Sequence, residues 1–147
     1  MTLEQFENIY KFCENHYNVA AWRHVVSVME YVKQDLLYRF YPAEARRYLC
    51  ALAIAHDAIE EGICTDTDLQ NMGLKYLDLL ALTHAKDESY IEYIDYLFNL
   101  GSQEAILVKK ADIRDHLIKK ETLTPELKEK YSSVANYFCK YAGRFEV

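Results

Sequence analysis

The sequence predicts an all-α fold of seven or so helices, and three observations carry that reading. Only 4 glycines and 2 prolines occur in 147 residues, too little turn chemistry for a sandwich or barrel that reverses about every ten residues. No segment alternates apolar and polar positions between turn signals, so no half-buried strand is expected. Apolar residues recur instead at three- and four-residue spacings along most of the chain. With 51% hydrophobic and 27% charged residues the balance is globular. The length suits one domain, residues 1–147, rather than two.

The elements follow in order. Thr2 with Gln5 is a capping-box opening, and Leu3, Phe6, Ile9, Tyr10 and Cys13 make a helical stripe. Val25, Val28, Tyr31, Val32 and Leu36 suggest a long helix from about Ala20 to Phe40. Pro42 fits the first turn of a third helix that runs into His56. Thr65 and Thr67 are candidate caps for a short helix ending near Gly73. Leu74 to His84 and Ser89 to Leu100 read as two more helices, the first with Leu77, Leu80, Ala81 and His84 on one side. Gly101-Ser102 breaks the chain before a helix from about Gln103 to Lys120. Thr124-Pro125-Glu126 opens a last helix closed by Gly143.

The formal charge of −6 excludes a surface that grips nucleic acid all round. An anionic small-molecule ligand stays possible, because a bound cation reverses the local sign. The cysteines show no CxxC pairing, and Cys13, Cys50 and Cys139 fall within helical patterns as small apolar residues. The longest apolar run, Tyr48 to Ala55, is far short of a membrane span. The start Met1-Thr2-Leu3-Glu4-Gln5 lacks the basic and apolar regions of a leader. A soluble, cytoplasmic protein with reduced thiols and no membrane partner is the expectation, and the oligomeric state stays open.

The pattern breaks where the buried Tyr48–Ala55 run meets His56-Asp57-Ala58-Ile59-Glu60-Glu61. On a helix His56 and Glu60 stand four apart, as do Asp57 and Glu61, so all four side chains would share one broad face. Desolvating a carboxylate costs several kcal/mol, so an imidazole and three acids at the end of a buried helix ask for a cation. A structural His56–Asp57 pair with two solvated glutamates is the plainer alternative. Two further residues favour the cation: His24 on the inward side of the second helix, and Asp112 four residues beyond Val108 on the Ala105-Ile106-Leu107-Val108 stripe. Two imidazoles and two carboxylates suit manganese, iron or zinc and leave positions open for water and a phosphate oxygen. Glu60 and Glu61 would then orient or deprotonate the attacking water. His16 and His84 are read as helix-end or packing residues.

At these residues the chain resembles the HD superfamily of metal-dependent phosphohydrolases, whose motif is a His, then His-Asp, then a distant Asp. More narrowly it is similar to the hydrolase domain of RelA/SpoT-type enzymes and to the small alarmone hydrolases. Ala55-His56-Asp57-Ala58-Ile59-Glu60-Glu61 is similar to their HD-x-x-E-D segment, and Leu82-Thr83 with Lys86 to their "LT…K" stretch. Tyr90-Ile91-Glu92-Tyr93-Ile94 and Val108-Lys109-Lys110-Ala111-Asp112 are similar to the two helices that follow. The likeness runs from about Val19 to Tyr141. It implies a compact helical HD-domain fold, one Mn²⁺ (Fe²⁺ or Zn²⁺ as alternatives), and release of pyrophosphate from the 3′ position of guanosine tetra- or pentaphosphate. It further implies His24, His56, Asp57 and Asp112 as metal ligands, Glu60 and Glu61 as the water-activating pair, and Lys86 and Lys109 as phosphate contacts.

The chain departs from that pattern at three places. Glu61 stands where the family usually has Asp. His116 stands where an Asn normally follows the last ligand, placed to contact the ribose, join the metal shell or change the substrate. Between His16 and His24 the family's basic, guanine-facing Arg-Lys pair is absent. Two other readings therefore stand beside the alarmone hydrolase. One is an HD-type nucleoside 5′-monophosphatase or other nucleotide phosphohydrolase. The other is a non-catalytic sensor of nucleotide or metal, for which the 13 tyrosines would supply a partner surface.

Overall fold

The computed structural model describes residues 1–85, 87–119, 121–135 and 137–138. Among these the chain forms eight α-helices and one 3-10 turn, with no strand, as the composition predicts. They are α1 (Leu3–His16), α2 (Val19–Gln34), α3 (Ala43–Ala55), α4 (Asp66–Asn71), α5 (Tyr76–Leu82), α6 (Tyr90–Leu100), α7 (Gln103–Ile118) and α8 (Pro125–Ser132), with the 3-10 turn at Tyr38–Phe40.

The core is built around α3. Every residue from Tyr48 to Ala55 is buried, as an all-round apolar helix requires, and α1, α2 and α7 pack against it. α2 also lies along α7, turning Val25, Val28, Met29 and Val32 inward, while α7 buries Ile106, Leu107, Val108 and Ile113. The α2–α3–α7 contact is the frame on which the polar residues sit. No helix among the described residues is long and apolar enough to cross a membrane.

Side-chain caps set most helix starts where the sequence puts them. Thr2, Ser89 and Thr65 each form a capping box, Asn18, Ser102 and Thr124 each accept one backbone N–H, and Pro125 follows Thr124. Thr65, not Thr67, caps α4. Pro42 adopts an extended ψ of 163° and precedes α3 as its cap rather than lying in the first turn.

Three helix bounds differ from expectation for local reasons. α2 stops at Gln34 instead of Phe40, because the Asp35 carboxylate accepts the Leu37 N–H at 2.9 Å and takes the Lys110 ammonium at 3.1 Å. That local side-chain bond competes with the helical ladder. α5 is shorter than Leu74–His84, and its buried side carries Asp78, Leu79, Ala81 and Leu82, leaving Leu77 70% and Leu80 41% exposed. The Asp78 carboxylate, accepting from the Tyr48 and Ser102 hydroxyls, draws that side of the helix inward. α7 ends at Ile118 with Lys119 as its cap, close to the expected end at about Lys120, a residue outside those described. α8 closes at Ser132, where Ser133 turns its hydroxyl onto the Lys130 carbonyl at 2.7 Å. Gly143 and Cys139 lie outside the described residues.

Candidate metal centre

Three helices deliver one side chain each to a common point. His24 comes from the middle of α2, His56 caps the end of α3, and Asp112 lies on the inner side of α7; all three are buried. Their ligand atoms lie within 4.8 Å of one another, so this group could hold a metal ion. Asp112 Oδ1 is 2.9 Å from His24 Nε2 and 3.4 Å from His56 Nε2.

The far nitrogens explain why the near ones are suited to a cation. His24 Nδ1 faces Asp115 Oδ2 at 2.6 Å, and His56 Nδ1 faces the Ala53 carbonyl at 2.6 Å. An Nδ1–H donated to an acceptor leaves the Nε2 lone pair free, the arrangement found around metal-bound imidazoles. His56 Nε2 is buried and makes no well-formed hydrogen bond, its nearest acceptors being the Asp57 and Asp112 carboxylates, each with an oxygen 3.4 Å away. A buried nitrogen whose hydrogen bonds are poorly formed is costly, and a divalent ion held by His24, His56 and Asp112 would satisfy it.

The continuous helical face expected from His56 to Glu61 does not form. α3 stops at Ala55, and residues 56–62 are turns. Continuing the helix needs the carbonyls of Ala53, Ile54 and Ala55, and each is already engaged. His56 Nδ1 faces the first, the Tyr17 hydroxyl donates to the second at 3.0 Å, and the Ala58 N–H donates to the third at 3.0 Å. Gly62, at φ +72°, completes the turn. Asp57 is thereby brought beside both imidazoles, its oxygens 3.5 Å from His24 Nε2 and 3.4 Å from His56 Nε2. Glu60 accepts the His84 backbone N–H at 3.0 Å.

The charges at the centre hold one another in place. Burial alone would push the Asp112 carboxyl up, but the Lys109 ammonium 2.8 Å from Oδ2 and the surrounding imidazoles hold it well below the usual carboxylate range. Burial opposes the charge on Lys109, and Asp112 outweighs it, so the ammonium stays protonated. His116 brings a third imidazole, with Nε2 3.2 Å from Asp112 Oδ1 and its ring stacked on Tyr131 at 4.9 Å.

No protein-family model, curated protein or solved structure matches this chain. The site is therefore read from its own geometry.

A cavity of about 230 Å³ opens beside the centre, lined by Asp57, Glu60, Glu61, Lys109, Asp112 and His116. The helical-face reasoning for Glu60 and Glu61 fails, yet both reach the same cavity through the turn. Lys109 lines it too, although its ammonium is committed to Asp112. Lys86 lies outside the described residues. His16 keeps its helix-end role, stacked on Phe12 with Nδ1 2.7 Å from the Phe12 carbonyl. His84 packs as expected, stacked on Tyr93 at 4.9 Å, but it also lines the cavity.

Sequence reasoning missed four contributors. Asp115 is 1% exposed and holds the outer nitrogen of His24; its three-residue spacing from Asp112 was the available signal. Tyr90 and Tyr131 form the aromatic wall, and Lys130 on α8 lies 4.6 Å from the Tyr90 ring centre and 5.2 Å from that of Tyr131. An ordinary lysine in an amphipathic helix gives no sequence signal of that placement.

Proposed function

We propose that the chain is a divalent-metal-dependent phosphohydrolase of nucleotides, with the 3′-pyrophosphate of guanosine tetra- or pentaphosphate as the first substrate to test. The observation that carries the reading is the convergence of the buried His24 Nε2, His56 Nε2 and Asp112 Oδ1, with no well-formed hydrogen bond at His56 Nε2, beside an acid-lined cavity. The resemblance to HD-type enzymes adds the reaction class. A bound divalent ion, Mn²⁺ before Fe²⁺ or Zn²⁺, supplies polarisation of a phosphoryl oxygen and a lowered pKa for water.

The residues divide the remaining work. Asp57, beside both imidazoles, is the second carboxylate of the ligand set. Glu60 is anchored through one oxygen by the His84 N–H, which leaves the other to orient water and accept its proton, with Glu61 beside it. Lys109 holds the second oxygen of Asp112 and keeps the first directed at the imidazoles. His116 faces the cavity where the ribose or a phosphate of the nucleotide would lie, and Lys130 offers positive charge at the wall.

One observation favours a nucleoside 5′-monophosphate instead. Four carboxylates (Asp57, Glu60, Glu61, Asp112) and two lysines (Lys109, Lys130) line the cavity. One divalent ion cancels the excess of two negative charges, and Lys130 is then, among the described lining residues, the one lysine not committed to Asp112, a supply that suits one phosphate better than two pyrophosphates.

The deciding experiment is product analysis of purified protein with Mn²⁺ and guanosine 3′,5′-bis(diphosphate), beside a panel of nucleoside monophosphates, with His56→Ala as control. Pyrophosphate from the wild type alone supports the first reading, and orthophosphate from a monophosphate supports the second. Nucleotide binding without turnover across Mn²⁺, Fe²⁺ and Zn²⁺ would overturn both in favour of a sensor. Glu60→Gln and Glu61→Gln should keep the metal and lose about 10²–10⁴ in rate; normal turnover in both removes them from the mechanism.

A further inference from the structure

Asp115 does not itself line the cavity and meets the outer nitrogen of His24 rather than its inward one, yet it is the most buried carboxylate of the centre at 1% exposure. Its Oδ2 sits 2.6 Å from His24 Nδ1 and 2.7 Å from Lys119 Nζ, so one oxygen receives two donors. Asp112 and Asp115, one turn apart on α7, thus bracket a single imidazole carried by α2. The second ligand, His56, has its outer nitrogen facing a backbone carbonyl, which no side-chain change can remove. His24 is therefore the one imidazole of the pair whose ligand strength depends on a side chain.

We infer that Asp115 is a positioning residue for the metal centre: it fixes the Nδ1–H tautomer and the orientation of His24, and so sets affinity for a divalent cation. The inference rests on the reading of His24, His56 and Asp112 as a metal site. A carboxylate in this place orients the ring and enriches the ligand nitrogen in electron density, and loss of such a partner typically weakens metal binding about 10–100-fold. Lys119 has the opposite relation to the site. It competes with His24 for the same oxygen, and its side chain is 30% exposed, so it is dispensable for holding the ring.

The test is titration of metal-free protein with Zn²⁺ and with Mn²⁺ for wild type, Asp115→Asn and Lys119→Met. Asp115→Asn should weaken binding about 10–100-fold, and Lys119→Met should bind no more weakly than wild type. Zn²⁺-loaded wild type should show a far-downfield, slowly exchanging imidazole proton from His24 Nδ1 that is lost in Asp115→Asn. Equal losses in both variants would mean that the Asp115–Lys119 pair only supports the fold, and the inference fails. Unchanged affinity in folded Asp115→Asn also overturns it. Absence of tight binding by the wild type itself would instead sink the metal site. If Asp115→Asn does not fold, the proton signal in wild type and its persistence in Lys119→Met decide the matter alone.

Discussion

Burial drives the His24 imidazole toward its neutral form, but the Asp112 and Asp115 carboxylates that accept its protons outweigh burial and push its pKa up to about 9. In the metal-free protein the proton stands in for the cation, and the consequence has two signs. A folded pKa raised above the ordinary 6.5 gives stability that is fully present below about 6.5 and lost as pH rises through about 9. A shift of that size is worth on the order of 3 kcal/mol. Metal binding must expel the same proton, so affinity should rise across that window by up to about tenfold per pH unit. Melting of metal-free protein and metal titration over the same pH series check both slopes; parallel slopes would contradict the assignment. His24, His56 and Asp112 were legible in the sequence because polar groups on apolar faces are conspicuous. Asp115 was legible only as a neighbour of Asp112 on the same side of α7; which nitrogen of His24 it meets is a fact of three-dimensional approach.

The end of α3 shows what element-scale patterns leave out. Its apolar run correctly foretells a helix buried all round, and its join to His56 marks the site. The helical continuation fails because Tyr17, distant in sequence, holds the Ile54 carbonyl. Tyr17→Phe removes that donor and leaves a buried carbonyl unpaired, at a cost of about 1–3 kcal/mol, measurable as a lower denaturant midpoint with unchanged slope. No loss of stability would mean that the hydroxyl does not set the helix end. α5 teaches a related point. Leu77 and Leu80 look like a core stripe by spacing, but Asp78, satisfied by the Tyr48 and Ser102 hydroxyls, takes the inner side. Periodicity locates apolar faces; it does not detect a buried carboxylate whose partners lie on two other helices.

At the scale of the molecule, the candidate centre ties α2, α3 and α7 together. An ion that binds only the folded chain should add about 2.7 kcal/mol of apparent stability at 100 times its dissociation constant. Thermal melting with added Mn²⁺ should therefore shift upward by several degrees, reverse with chelator, and show no shift in His56→Ala. An unchanged wild-type midpoint at saturating metal would argue against a site spanning the three helices. The all-α architecture was legible because scarce glycine and proline, the lack of two-residue alternation and the three- and four-residue apolar spacing all point the same way along the whole chain.

His24 and Asp112 meet across 88 residues of chain, and that separation governs when the centre comes into being. Closing so long a loop is entropically expensive and precedes any reward from the contact. The ligand set exists only once α7 lies against α2, a contact that the shorter-range helical contacts are expected to precede. Refolding with metal present should therefore show uptake as a late event, following helix formation rather than seeding it. A fragment ending before α7 would carry both histidines and still lack a centre.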